Sequence, residues 1–308
     1  MEKSRGLSEN MFPKTDVCDN VIFGTVDFDF DTIMSEFETG PPPEEKNILA
    51  KFPYNSLVSL GWIEATKDEF LQILNLRHFF CVDSLQEINL KQQVAFRQSK
   101  AKNIDPYALA AWLRKGEILS MDIELPTFCK NKLENAIPQL RRIAYEIPND
   151  FFDCLVDILH ETGVGLIAVK NPKNTAVNGA VRKIYGKPII QMSIYKLRLD
   201  ILLFSLFHEI GHILLHDIDK QDFISLEKTQ KNTTDIEADD FATETLLKNH
   251  IFNEFAAKRN FSLPAINKFS KQVLVHPSIV MGRLEHEKKV SYNRYAKHYG
   301  KLTFVKNN

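Results

Sequence analysis

Phe204-Ser205-Leu206-Phe207-His208-Glu209-Ile210-Gly211-His212-Ile213-Leu214-Leu215-His216 is the stretch on which the reading of this chain turns. It carries the pattern His-Glu-x-x-His inside an otherwise apolar helical segment. His208 and His212 are four residues apart, about one helical turn, so both imidazoles leave the same face and can share one tetrahedral Zn²⁺. Glu209, one position round the helix, can reach a water at an open metal position and take its proton. Two His and a Glu buried in an apolar helix would lack partners, and a metal removes that cost. Three of the nine His of the chain fall in this one segment.

A catalytic zinc needs a third protein ligand and an open fourth position. The metzincin pattern would place Gly at 215 and His at 218, but these are Leu215 and Ile218. The next helix, read from Asp235 to about Lys248, offers Asp235-Ile236-Glu237-Ala238-Asp239-Asp240-Phe241-Ala242. Glu237 is expected to be the third ligand, and Asp239 or Asp240 to accept a hydrogen bond from the other N–H of a ligand imidazole. His216, one turn further along the metal face, is expected to support the site rather than act as a fourth ligand, which would close the catalytic position. A His/His/Glu set would accept Mn²⁺ or Fe²⁺ as well as Zn²⁺.

Upstream of this stretch, helices at Leu133 to Ile143 and Asp150 to Glu161 lead into the buried-strand run from Gly163 to Val169. Val181 to Tyr185 and Pro188 to Ile194 flank Gly186-Lys187 and read as a hairpin. An α+β domain is therefore expected over residues 131–287, with a small sheet and one central helix from Leu197 to His216. Residues 46–130 show helical periodicity and form a helical module whose core is expected to hold Trp62, Phe79, Phe80 and Trp112. Residues 1–45 form an acidic arm. It alternates apolar and acidic residues in Val26-Asp27-Phe28-Asp29-Phe30-Asp31 and ends in Gly40-Pro41-Pro42-Pro43. Near the C-terminus, Ala265 to Val273 and Ile279 to His286 read as helix, turn, helix, a packing hairpin in preference to a DNA-recognition motif, with Ser278 a candidate cap. Residues 288–308 form a basic tail in which Tyr292, Tyr295 and Tyr299 are interleaved with Lys and Arg, a candidate local contact for nucleic acid.

The chain has 308 residues with Lys+Arg 39 against Asp+Glu 40, which gives no whole-chain electrostatic case for nucleic acid or an anionic membrane. Charge is unevenly spread: residues 1–50 hold 4 Lys/Arg and 11 Asp/Glu, a net of -7, whereas residues 281–308 hold 7 and 2, a net of +5. Cys18, Cys81, Cys129 and Cys154 form no CxxC pair, which argues against a disulfide framework or a thiolate zinc cage. No apolar run approaches the ~18 residues of a membrane span, and the expected location is the cytoplasm.

The run Phe204–His216, the segment Glu237-Ala238-Asp239-Asp240-Phe241-Ala242 and the strand Lys187-Pro188-Ile189-Ile190-Gln191-Met192-Ser193 together resemble the ImmA/IrrE family of zinc metallopeptidases. The resemblance runs from about Leu133 to Arg283. Ser59-Leu60-Gly61-Trp62-Ile63, Arg77-His78-Phe79-Phe80 and Ala110 to Glu117 are similar to the region that links a helix-turn-helix to the peptidase in longer members. Where those members carry the helix-turn-helix, this chain has the acidic arm.

The resemblance implies a zincin-like fold and a regulatory endopeptidase that cleaves a helix-turn-helix repressor, derepressing stress, mobile-element or defence genes. It implies Zn²⁺ on His208, His212 and Glu237, with Glu209 as general base. A substrate strand would lie along Pro188–Ile194, with Ile190, Gln191 and Met192 as its candidate contacts. Tyr185 is a candidate oxyanion donor. Some members are held inactive by a cysteine on the zinc until a signal such as single-stranded DNA binds, and Cys129 is the candidate for that role. The alternative is a non-catalytic, antitoxin-like regulator that binds DNA or protein and uses the zinc fold as sensor or scaffold.

Overall fold

A computed structural model describes residues 40–88, 104–194, 198–226 and 232–299. The alternating stretch of the acidic arm and the basic residues Lys301 and Lys306 lie outside these. The helices are α1 (Pro43–Leu49), α2 (Tyr54–Ser59), α3 (Glu69–Phe80), α4 (Pro106–Ser120), α5 (Lys130–Glu146) and α6 (Phe151–Glu161), then α7 (Leu199–Leu215), α8 (Thr233–Leu246), α9 (Asn249–Ala257), α10 (Leu263–Val273) and α11 (Pro277–His286). Four strands, β1 (Gly165–Val169), β2 (Val177–Ile184), β3 (Lys187–Ser193) and β4 (Phe223–Leu226), form one sheet. The expected α+β architecture is what is found.

The sheet order is β1-β3-β2-β4, with β1 parallel to β3 and the other neighbours antiparallel. The β2–β3 hairpin closes through Tyr185-Gly186, one residue earlier than Gly186-Lys187, because Ile184 pairs with Lys187. Both turn residues have positive φ, 50° and 77°, as a tight turn matched to the strand twist requires. β3 carries β1 on one side and β2 on the other, so it is an interior strand.

Alternation divides the sheet's side chains between two cores. Leu166, Val181, Ile190 and Met192 face α7, which is buried along almost its whole length because α5, α8 and α11 also pack on it. Ile167, Val169, Ala180, Ile184 and Ile189 face α4, whose Leu109 and Trp112 cover them. Trp112 Nε1 donates to Val169 O at 3.3 Å, which satisfies the indole in this buried position.

The helical core at the N-terminal side gathers Leu57, Ile73, Leu76, Phe79, Phe80 and Leu85, with Trp62 packed against it. Phe79, Phe80 and Trp62 thus lie where expected, whereas Trp112 serves the sheet. Glu45, read from sequence with the acidic arm, is 1% exposed. It accepts from Arg77 at 2.5 Å, from Ser84 Oγ at 2.6 Å and from Leu85 N at 2.6 Å. A carboxylate so enclosed is stable only with such partners.

At the C-terminal end α10 and α11 form the expected hairpin. The cap of α11 is His276, whose Nδ1 accepts from Ser278 N at 3.2 Å; Ser278 itself is buried inside the helix. Two of the three tail tyrosines, Tyr295 and Tyr299, are core residues. Arg198 lies 3.7 Å over the Tyr299 ring, and Tyr295 Oη donates to Phe261 O. Of the three, only Tyr292 is exposed.

Candidate metal centre

Helix α7 brings His208 and His212 to one face, with their Nε2 atoms 3.0 Å apart. Both imidazoles are buried, His212 completely. The helix that faces them, α8, starts at Asn232 with a capping box: Asn232 Oδ1 accepts from Asp235 N at 2.7 Å and Asp235 Oδ2 accepts from Asn232 N at 3.4 Å. The other oxygen of Asp235 is left facing the histidines, 3.6 Å from His212 Nε2. One donor atom each from His208, His212 and Asp235 lie within 4.8 Å of one another. Two imidazole nitrogens and a carboxylate converging in this way are the donor set of a catalytic zinc site.

Asp239, one turn beyond Asp235, accepts from His208 Nδ1 at 2.8 Å, which turns the Nε2 lone pair toward the cluster. The close approach of the two helices depends on Gly211. A Cβ there would come within 3.1 Å of the Phe241 ring and 3.2 Å of the Ala238 backbone.

The structure places Glu237 elsewhere. Asp235 and Glu237 are two residues apart, roughly 200° round a helix, so they do not point at the same pair of nitrogens. The Glu237 carboxylate accepts from His216 Nε2 at 2.9 Å, and His216 Nδ1 lies 3.1 Å from His212 Nδ1. Asp235, not Glu237, is the carboxylate that meets the two histidines. Its signal was in the sequence: Asp235 and Asp239 repeat the four-residue spacing of His208 and His212. Asp240 is exposed.

Glu209 is fully buried, and neither carboxylate oxygen has a hydrogen-bond partner among the described residues. It lies against Gly179 of β2, where a Cβ would stand 2.5 Å from Oε1. Gly179 pairs with Ser225 of β4, whose hydroxyl favours the charged carboxylate without reaching hydrogen-bond geometry. Burial dominates, and the Glu209 carboxyl is pushed up to about 7. Burial, joined by His208 and His216, pushes His212 down to about 3, which keeps it a neutral donor. At His208 burial is outweighed by the Asp239 hydrogen bond and the nearby carboxylates, and the pKa rises. An unpartnered buried carboxylate beside two convergent imidazoles is the arrangement that a metal and its water complete, so the residues present fit a divalent ion.

The remaining expectations are not brought to this cluster. Ile190 and Met192 point into the core beneath α7. Gln191 faces the other way, donating to Trp112 O at 2.7 Å and accepting from Arg182 at 3.3 Å. Since β3 is paired on both sides, it has no edge to offer a peptide. The edge strand beside the histidines is β4: Phe223 stacks on His212 with centroids 4.3 Å apart, and β4's second side has no partner among the described residues. Tyr185 lines a separate cavity of about 370 Å³ with Phe80, Cys81, Arg114, Glu117 and Asp222. Cys129 sits at the start of α5, donating from its N–H to Thr162 O, and is not among the residues that meet at the histidines.

Residues 182–264 match the model of the Peptidase_M78 family, described as the IrrE N-terminal-like domain. No curated protein matches the chain. The matched segment begins within β2 and reaches the start of α10, so it contains both histidines, Glu209, Asp235 and Asp239. This segment, which is similar to the ImmA/IrrE family, holds the whole histidine and carboxylate cluster.

Proposed function

We propose that this chain is a zinc-dependent regulatory endopeptidase whose substrate is a helix-turn-helix transcriptional repressor. The observation that carries the reading is the convergence of His208, His212 and Asp235 beside a buried, unpartnered Glu209. His208 and His212 would hold the ion through Nε2 and Asp235 through Oδ1. The ion supplies Lewis acidity at the scissile carbonyl. Glu209, its carboxyl poised at about 7, takes the proton of the attacking water and returns it to the leaving amine. An extended substrate segment is expected to add to the open side of β4, where backbone hydrogen bonds align it past the histidines. Among the described residues no helix is long and apolar enough to cross a membrane, in keeping with action on a cytoplasmic repressor. A single-stranded nucleic acid is the proposed activating signal.

The test is co-expression with a candidate small helix-turn-helix protein sought among the neighbouring genes, comparing wild type with Glu209→Gln and measuring metal on both. One discrete cleavage by wild type, none by the variant, and about one zinc on each supports the peptidase. Metal on both without cleavage, even with single-stranded DNA added, favours the sensor or scaffold reading. No metal on either overturns the site.

A further inference from the structure

His208 and His212 are supported differently. His208 Nδ1 donates directly to a carboxylate, Asp239, at 2.8 Å. His212 Nδ1 meets a second imidazole instead, His216 Nδ1 at 3.1 Å, and the far nitrogen of that ring meets Glu237 at 2.9 Å. Only one proton arrangement satisfies this chain while leaving His212 Nε2 free to donate its lone pair. His212 Nδ1–H donates to His216 Nδ1, and His216 Nε2–H donates to Glu237 Oε2. Each ring then carries one proton, and the carboxylate at the end fixes the tautomer of both.

Phe223 holds the geometry from the other side. Its ring stacks on His212 at 21° and lies over His216 with centroids 5.3 Å apart. The His216 side chain is itself buried, whereas Glu237 reaches the surface.

We propose that Glu237 and His216 act as a two-residue positioning relay that sets the tautomer of His212 and thereby the zinc affinity of the site. The relay rests on the metal-centre reading above, with Glu237 acting through His216 and never on the metal. Glu237 thus contributes to the site from the opposite face of α8 to Asp235, across the end of α7.

Zinc affinity, measured on the purified full chain by competition with a chromogenic chelator, tests the relay without any substrate. His216→Phe and Glu237→Leu are expected to weaken zinc binding about 10- to 100-fold, the usual effect of removing such a support. Glu237→Gln keeps an oxygen that can accept from His216, so its affinity should stay within about threefold of wild type, whereas Asp235→Asn should lose more than either relay variant. Far-UV circular dichroism of the chelated proteins controls for folding. Wild-type affinity in both His216→Phe and Glu237→Leu overturns the relay and leaves the metal centre standing. A loss in Glu237→Gln as large as in Asp235→Asn overturns it too, because Glu237 would then be a ligand. If wild type binds no zinc, the peptidase reading falls, and the relay with it.

Discussion

At the scale of single residues, the site depends on atoms that are missing as much as on those present. Gly179 leaves the space that the Glu209 carboxylate fills, and a methyl group there would stand 2.5 Å from Oε1. The obstructed atom is the end of a flexible side chain, so Gly179→Ala should fold and bind zinc much as wild type does. On the proposed function its cleavage rate should fall at least about tenfold, because the displaced base loses its alignment with the water; initial rates on the proposed repressor substrate check this. Glu209→Gln should lose about 10²-fold or more in rate with metal content unchanged. Burial also gives this carboxyl a pH signature. It holds its proton in the folded, chelated protein up to about pH 7, whereas an unfolded glutamate releases it near 4.5. Folding therefore takes up a proton between those values, and this group's contribution falls as pH rises. Urea melts of Glu209→Gln should show a stability gain over wild type that is small at pH 4.5 and grows toward pH 7. That His208, Glu209 and His212 share one turn was legible in sequence from their spacing alone. Which carboxylate meets them was less so: the Asp235/Asp239 spacing carried a signal, but choosing among the five acids of α8 requires the rotational phase of that helix against its neighbour.

At the scale of elements, that phase is set by contact. Gly211 lets α8 approach α7 until Ala238 touches it, and the contact turns Asp235 and Asp239 toward the histidines. Gly211→Val should push the helices apart, abolish zinc retention on desalting and lower the melting temperature, by the cost of overpacking, about 1–3 kcal/mol. The sheet carries the second lesson. Pro188–Ile194 had the composition of a strand and is one, but whether a strand is interior or at an edge depends on pairing between distant segments. β4, short and separated from its partner β2 by the whole of α7, held no such signal. Helix α11 offers a test outside the site. His276 caps it as the neutral base, and burial keeps its pKa below the ordinary value. The cap is thus fully present above pH 6.5 and is lost as pH falls through the lowered pKa. His276→Asn, a cap that does not titrate, should remove this acid sensitivity, and His276→Ala should cost about 1 kcal/mol at neutral pH; hydrogen exchange at Ser278 reports both.

At the scale of the whole molecule, the division read from sequence at residue 130 does not coincide with the packing. α4 lies on the N-terminal side of that boundary, yet Leu109 and Trp112 cover the outer face of the sheet while Ala111 packs in the helical core. A fragment starting at residue 131 would expose Ile167, Val169, Ala180, Ile184 and Ile189, and should aggregate in size-exclusion chromatography. The helical core has its own weak point in the Glu45–Arg77 pair. Arg77→Leu strands a buried carboxylate and should cost about 3–5 kcal/mol by chemical denaturation.

Because one helix is roof to the sheet and wall to the helical core, the front half of this protein cannot be exchanged as an independent cassette. A chimera joined after α4 would bring a foreign roof to a native sheet and must match its ridges side chain by side chain. One joined ahead of Pro106 keeps the roof with its sheet, and needs only Ala111 and its neighbours to greet a new helical core. Exchange of the front helices among related chains is therefore expected to leave its seam before α4.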